Sequence, residues 1–246
     1  MEIFDAHAHL GVDVVFDVEN TEQTLLSTMA EYGVDGALVQ PFLSRPYLED
    51  TRAIHDRIHA LCRAHPGRFY GMVSICPHLY PEAVEAECAR CVRELAFKGI
   101  KIATTAHGVN PSGKSGMHIF EIASALNVPV MVHTGGGNFG APLLLEAPAR
   151  AFPQLPIVIA HGGGENGVDE CVRLGRTYDN IFVEPSWINI LGIEKFARTL
   201  GADKLMFSSD MPQNTPAALV LFRTVFKGED LEKALGRTAM RVFGIL

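Results

Sequence analysis

Short apolar segments alternate with stretches of helical pattern along the whole of this 246-residue chain. Eight segments are rich in valine and isoleucine and mostly continuously apolar, which is typical of parallel strands that are buried on both faces. They are residues 3–7, 36–40, 69–75, 99–103, 129–133, 156–161, 180–184 and 204–209. Eight such strands with helices between them predict a (β/α)8 TIM barrel, forming a single domain over residues 1–246.

The main alternative is a doubly wound sheet. It is disfavoured because no Gly-x-Gly-x-x-Gly run follows the first strand. Residues 230–243 are predicted to form a terminal helix that closes the barrel. The pattern of strands and the length of the chain therefore favour the barrel over an open sheet.

Charge and composition exclude several kinds of partner. The formal net charge of −7 argues against nucleic acid or an anionic membrane surface, and no run of about 18 apolar residues predicts a membrane span. The first residues do not have the pattern of a secretion signal, so we expect a cytoplasmic protein.

Cys88 and Cys91 share helical spacing with Val84 and Leu95, which predicts buried thiols rather than a redox or zinc pair.

Two histidines end the first predicted strand, in the run Asp5-Ala6-His7-Ala8-His9. Side chains two residues apart on a strand point to the same face, so His7 and His9 are expected to point together into the mouth of the barrel. Two adjacent imidazoles can share one metal ion. Asp5 is expected on the same face one step deeper, where it would either orient a ligand histidine or simply be a polar residue of the strand.

Three further strands end on a titratable residue. His133 ends the fifth predicted strand, His161 the sixth, and Asp210 follows the eighth. Functional groups of this fold gather at the carboxyl ends of its strands. Three histidines and a carboxylate suit Zn²⁺ or a similar metal, with a position left for water. The glycines after His133 and His161 would let the backbone turn sharply and approach a ligand.

Taken together, these segments resemble the amidohydrolase superfamily, in the branch that also contains aminocarboxymuconate-semialdehyde decarboxylase-like enzymes. The resemblance spans nearly the whole chain. It is carried by FDAHAHLG, AHPGRFYGMVSICP, KGIKI, VPVMVHTG, FPQLPIVIAHGGG, NIFVEPS, KLMFSSDMP and RTAMRVFGI.

The resemblance implies a role for each of these residues. His7, His9 and His133 match the histidine metal ligands, and Asp210 matches the aspartate that binds metal or takes a proton from metal-bound water. His161 matches a histidine that contacts the water or the substrate. Lys101 matches the strand position at which a carboxylated lysine bridges two metals in binuclear relatives, although one Zn²⁺ per chain is the expectation here.

The chemistry of such a site predicts a metal-dependent hydrolase. Zinc lowers the pKa of bound water to about 7, and the resulting hydroxide would attack an amide, ester or lactone. Asp210 would act as general base and then acid, and His161 would orient the nucleophile or stabilise negative charge. The alternative is a decarboxylase of a small unsaturated or aromatic carboxylic acid, and a third reading is a non-catalytic metal-binding barrel.

Substrate contacts are expected in the loops after the strands. Arg45 is a candidate clamp for a substrate carboxylate, because a guanidinium grips a carboxylate with two hydrogen bonds. Trp187, Asn138 and His107 are further candidates for the small-molecule substrate. His55 and His59 are expected merely to flank the buried face of a helix. Members of the branch often dimerise, so a homodimer is expected.

Overall fold

The computed structural model describes residues 1–13, 17–42 and 47–246. Parallel strands lie between helices from one end of the chain to the other, with one short antiparallel strand near the start. The strands are β1 (Phe4–Asp13), β2 (Val18–Asn20), β3 (Gly36–Phe42), β4 (Phe69–Gly71), β5 (Val73–Ser74), β6 (Ile100–Ile102), β7 (Val130–His133), β8 (Ile157–Ala160) and β9 (Ile181–Glu184).

The strands form a closed barrel with eight strand positions. One sheet has the order β2-β1-β3-β4 and the other β5-β6-β7-β8-β9. The backbone N–H of Met72, between β4 and β5, donates to Val39 O, which joins the two sheets. On the other side, Leu205 pairs with Val183, and Phe207 O accepts from Ala6 N on β1. The fold is thus the predicted (β/α)8 barrel. Its eighth strand position, residues 205–207, pairs with its neighbours through single contacts rather than as a regular strand.

A register shift in β1 determines which of its side chains face the interior. The pairing of β1 with β3 is irregular between Asp5 and Ala8. Phe4 and Ala6 pack with the residues inside the barrel, whereas Ala8 and Leu10 pack with the helices. Because a one-residue slip exchanges the two faces of a strand, His7 and His9 point inward. The expectation that Asp5 shares their face is wrong: it lies between Phe4 and Ala6, which point into the barrel, so it points outward toward α1 (Glu22–Tyr32).

The helices begin and end at residues that suit helix termini. The Thr21 hydroxyl accepts from the N–H of Thr24 at the start of α1, and Gly33 ends the helix with φ +68°. Pro81 occupies the first turn of α3 (Pro81–Arg93). The other helices are α2 (Leu48–Ala64), α4 (Lys114–Leu126), α5 (Glu146–Ala151), α6 (Gly164–Thr177), α7 (Ile190–Leu200), α8 (Thr215–Val225), α9 (Gly228–Glu232) and α10 (Thr238–Val242).

Two apolar cores follow from the alternation of side chains along the strands. The larger lies between the strands and the surrounding helices, and the smaller fills the barrel. Met240 and Val242 of α10 join Phe4 in the smaller core, so the terminal helix closes the end of the barrel at which the strands begin. Within the residues described, no helix is long and apolar enough to cross a membrane.

Candidate metal centre

Two histidines and an aspartate meet at the carboxyl end of the barrel. His7 Nε2 lies 2.9 Å from His9 Nε2, and both nitrogens lie 3.1 Å from Asp210 Oδ1. The backbone N–H of Asp210 donates to His7 O at 2.7 Å, and this hydrogen bond joins the residues after the eighth strand position to β1. Asp5 strengthens this connection, because its carboxylate accepts from the backbone N–H groups of His7 and Ser209 at 3.0 Å.

Glu184, at the end of β9, fixes the proton on His7. Its Oε1 atom forms a hydrogen bond with His7 Nδ1, and both side chains are fully buried. A carboxylate accepts at this contact, so Nδ1 carries the proton and the lone pair of His7 lies on Nε2, facing Asp210. Burial and the nearby Lys101 hold the pKa of His7 well below its ordinary value, which keeps the imidazole neutral.

Hydrogen bonds also fix the tautomer of His161. Its Nδ1 lies 2.8 Å from Ser186 Oγ, and that hydroxyl donates to Glu184 Oε1 at 3.0 Å. The hydroxyl proton is therefore already used, so His161 Nδ1 donates and the lone pair of this imidazole lies on Nε2. Burial lowers the pKa of His161 to about 3. His7, His161 and Asp210 each offer a ligand atom within 4.8 Å of the others.

Asp210 is fixed through both carboxylate oxygens. While Oδ1 faces the histidines, Oδ2 accepts from the indole Nε1 of Trp187 at 2.7 Å. Burial acts to raise the pKa of Asp210, but His7 and His161 hold it well below its ordinary value. His161, Trp187 and Asp210 all have left-handed φ values of 61–66°, which are rare for residues with side chains and concentrate at functional sites.

Lys101 and His133 complete the group. Lys101 on β6 is buried, and its Nζ lies 3.1 Å from His7 Nε2. Burial lowers the pKa of Lys101 to about 8. The His133 ring, at the end of β7, lies 4.7 Å from the ring of His161 between centroids, and burial lowers its pKa to about 4. The structure thus brings all of the predicted metal ligands to one end of the barrel.

The glycine runs after His133 and His161 approach each other closely. Gly135 has φ +83°, and a Cβ atom there would lie 2.8 Å from the backbone nitrogen of Gly164. A side chain is therefore excluded at Gly135 by both its backbone conformation and its neighbour. The predicted sharp turns are present, and this contact between the loops accounts for one of the glycines without a ligand.

The predicted substrate contacts differ in their exposure. Trp187 is 53% exposed at the rim, and Asn138 is exposed in the loop after β7. His107 is half-buried in the turns after β6, and burial lowers its pKa to about 4. Arg45 lies outside the described residues.

Glu184 and Ser186 were missed by the sequence interpretation. Glu184 carries the signal that identified His133 and His161, since it is the first titratable residue after an apolar strand. Ser186 has no such signal, because its role depends on contacts with residues 25 positions away along the chain.

A second cluster with ligand-type side chains lies between helices α2 and α3. His55 Nδ1 lies 2.8 Å from Glu87 Oε1, and Cys91 Sγ lies 3.3 Å from the same oxygen. The backbone N–H of Ser74 donates to His55 Nε2 at 3.1 Å, and Arg52 and Arg90 bind the carboxylate. The expectation that His55 merely flanks the buried face is wrong, because its side chain is fully buried and joins α2 to α3 and to β5.

The donor set at the barrel rim fits a divalent cation. Nitrogen and oxygen ligands bind zinc at about 2.0–2.2 Å, so ligand atoms on one ion lie on the order of 3 Å apart, close to the spacing of His7, His9 and Asp210. Within the part of the chain that the structure describes, His9 Nδ1 is buried without a hydrogen-bond partner. If His9 carries its proton on Nε2, the lone pair of Nδ1 has no donor. If the proton is on Nδ1, that N–H has no acceptor and the lone pair of Nε2 faces the Asp210 carboxylate. A cation bound at Nε2 would remove this second repulsion.

Sequence and structure comparisons identify the family and agree with the fold. Residues 4–245 match a family described as Amidohydrolase. The curated 2-amino-3-carboxymuconate-6-semialdehyde decarboxylase of Dictyostelium discoideum is 23% identical over 242 residues, covering 80% of this chain and 67% of the relative. The chain belongs to the amidohydrolase family and is an enzyme of that superfamily.

Solved structures reproduce the fold over nearly the full chain. The 2,6-dihydroxybenzoate decarboxylase from Rhizobium superposes with a TM-score of 0.81 at 16% identity, covering 100% of this chain and 99% of the other. A dihydroxybenzoic acid decarboxylase from a Polaromonas species, solved with manganese and 2-nitroresorcinol, gives 0.81 at 17% identity, covering 99% and 97%. At these identities the likeness establishes the fold.

Proposed function

We propose that this chain is a metal-dependent decarboxylase of a small aromatic or unsaturated carboxylic acid. The observation that carries the proposal is the convergence of His7 Nε2, His9 Nε2 and Asp210 Oδ1 at the barrel rim. The curated relative and both solved neighbours described above are named as decarboxylases, which favours loss of CO2 over the hydrolysis that metal chemistry alone suggested.

One divalent ion per chain would be held by His7, His9, His133 and Asp210. Zinc and manganese both suit this mixture of imidazole and carboxylate. When bound, the ion supplies positive charge that binds and polarises oxygen atoms of the substrate. Lys101, as an ammonium group below a pKa of about 8, adds positive charge beside the site, and this favours an anionic substrate over a role as a bridge to a second ion.

Asp210 and His161 are the proposed proton-handling pair. In decarboxylation a proton adds to the carbon that bears the carboxylate, the bond to the carboxylate carbon breaks, and its electron pair stays on the substrate as CO2 leaves. The Asp210 carboxylate would take a proton from a water molecule and pass it to that carbon, acting as general base and then as general acid. His161, neutral with its lone pair on Nε2, would accept a hydrogen bond from a substrate hydroxyl.

The rim residues would select the substrate. The exposed face of the Trp187 ring suits stacking against an aromatic or conjugated acid, since offset stacking of rings is favourable. Asn138 and His107 are proposed to contact polar groups of the substrate, and Arg45 is retained as a proposed carboxylate clamp. The homodimer is also retained as a proposal, which sedimentation of the purified chain would test.

A substrate panel separates the two reactions. The purified enzyme, loaded with Zn²⁺ or Mn²⁺, is incubated with dihydroxybenzoates and unsaturated dicarboxylic acids, and with lactones and esters. We expect CO2 release from at least one acid, and release from the same acid about 10³-fold slower with the Asp210→Asn variant. Hydrolysis of a lactone or ester with no CO2 from any acid would replace the proposal with the hydrolase. Elemental analysis is expected to give one metal per chain.

A further inference from the structure

One four-residue segment, which starts at the last residue of β9, contacts three members of the rim site. Glu184 binds Nδ1 of His7, Ser186 binds Nδ1 of His161, and Trp187 binds Oδ2 of Asp210. The first two contacts fix imidazole protons, as outer partners of metal-binding histidines commonly do. The third has a different chemistry, because an indole donates to the oxygen of the carboxylate that faces away from the histidines.

The indole contact limits the orientations of the Asp210 side chain. A carboxylate with two free oxygens can rotate about its terminal bond and exchange them. Here the Trp187 N–H lies 2.7 Å from Oδ2, so Oδ1 is the oxygen left to face His7 and His9. Trp187 itself adopts φ +66°, an unfavourable backbone conformation for a large side chain. The 53% exposure of its ring shows that apolar burial alone does not account for this placement.

We propose that Trp187 is a positioning residue whose indole N–H holds Asp210 with a single oxygen toward the metal ligands. This assigns the two parts of the side chain to separate tasks: the N–H orients Asp210, and the ring face borders the substrate. The inference rests on the proposed metal site and deepens it, since the indole acts on the metal through Asp210 and touches no reacting atom.

The Trp187→Phe variant isolates the N–H. Phenylalanine keeps an apolar ring and the same backbone demand but cannot donate. We expect the dissociation constant for Mn²⁺ to rise about tenfold, measured from free Mn²⁺ by electron paramagnetic resonance, because outer partners of metal ligands commonly contribute that much. A rise of threefold or more supports the proposal, and a smaller change overturns it. Leu191→Ala, which removes another exposed apolar side chain near the rim, controls for the loss of surface.

Kinetics distinguish positioning from substrate contact. If the chain decarboxylates an acid of the panel, Trp187→Phe is expected to lower kcat with less than a twofold change in KM at saturating metal. A raised KM with unchanged kcat and unchanged Mn²⁺ affinity would overturn the positioning role and leave only a contact with substrate. If no acid is decarboxylated but the variant still binds Mn²⁺ more weakly, the proposed function fails and this inference stands.

Fluorescence of the unmodified chain gives a second test that does not depend on how the variant folds. Trp187 is the single tryptophan of the sequence, so the indole emission reports on this position alone. Titration of the metal-free protein with Mn²⁺ is expected to change that emission and to saturate at one ion per chain. Emission that stays constant while Mn²⁺ binds would overturn the proposal.

Discussion

The rim site and the cluster between α2 and α3 contain similar side chains but differ in the direction of their hydrogen bonds. In the helix cluster, the N–H of Ser74 occupies Nε2 of His55, so the proton lies on Nδ1 and is donated to Glu87. At the rim, Glu184 takes the proton of His7 from the outside, which leaves the inner nitrogen opposite Asp210. Donors meet acceptors throughout the helix cluster, whereas at the rim one carboxylate oxygen of Asp210 faces the ring nitrogens of both His7 and His9, and Lys101 Nζ approaches the same nitrogen of His7.

This difference shows that residue type and proximity do not define a metal site. A metal bound at Nδ1 of His55 would require the proton to move to Nε2, where it would face the Ser74 N–H. The Glu87 carboxylate already accepts from His55, Arg52 and Arg90. The helix cluster is therefore an ion-pair network that stabilises the fold, and the rim site is suited to a cation. The predictions that follow test this division of roles.

The largest effect is expected from Asp210→Asn. The amide keeps the shape of the side chain and tolerates the left-handed backbone, but it loses the charge and places a donor or a weaker acceptor toward the histidines. We expect catalytic activity to fall by about 10³-fold and most bound metal to be lost, measured by CO2 release and elemental analysis. Full metal occupancy in a folded variant would show that Asp210 is not a ligand.

Glu87→Ala is expected to affect stability rather than metal. It leaves the buried His55 Nδ1–H without its acceptor and Arg52 and Arg90 without their shared carboxylate, and an unsatisfied buried donor costs about 1–3 kcal/mol. Urea unfolding of the metal-free chain measures the change, and the metal-to-chain ratio should stay at that of the unmodified protein. Asp56→Ala is the matched control, because Asp56 is exposed and binds the same Arg90, so it should cost less than about 1 kcal/mol. Loss of metal in Glu87→Ala would break the comparison.

Much of this division was predictable from the sequence, because the strands carry a strong apolar pattern. That pattern placed His7, His9, His133, His161 and Asp210 at strand ends, where parallel topology brings them to one end of the barrel. It could not predict the register shift in β1, since the pairing of two strands 30 residues apart is invisible in either strand alone. Asp5 was therefore assigned to the wrong face.

The contacts between helices and the exact bounds of the strands were less predictable. His55 was interpreted as unimportant from helical periodicity, because the pattern identifies apolar faces and not the buried hydrogen bond to Glu87 on the next helix. The third predicted strand is divided at Met72 into β4 and β5, and the eighth has a single pairing at Leu205. Closure of the barrel in space, rather than local preference, determines both of these outcomes.

A smaller effect is expected from Ser186→Ala, which sharpens the account of the rim. The change removes the acceptor for His161 Nδ1–H, so the imidazole can exchange tautomers or rotate. We expect activity to fall by about 10- to 100-fold, with little change in the free energy of unfolding. Ser27→Ala, an exposed hydroxyl on α1, is the control and should leave activity unchanged. Activity equal to that of the unmodified enzyme would contradict the proposed orientation of His161.

The smallest effect concerns pH and separates the two clusters in the metal-free chain. The folded pKa of His161 is about 3, and that of an unfolded histidine is about 6.5, so only the unfolded state takes up this proton as the pH falls below 6.5. Stability should therefore decrease by about 1 kcal/mol between pH 7 and 5.5 on account of His161. The pKa of Glu87 is below its ordinary value, so its contribution persists until the pH falls below about 4.3 and adds no slope in this range. Urea unfolding of His161→Gln should show a shallower decrease than the unmodified chain, and an equal slope would mean that His161 is charged in the folded state.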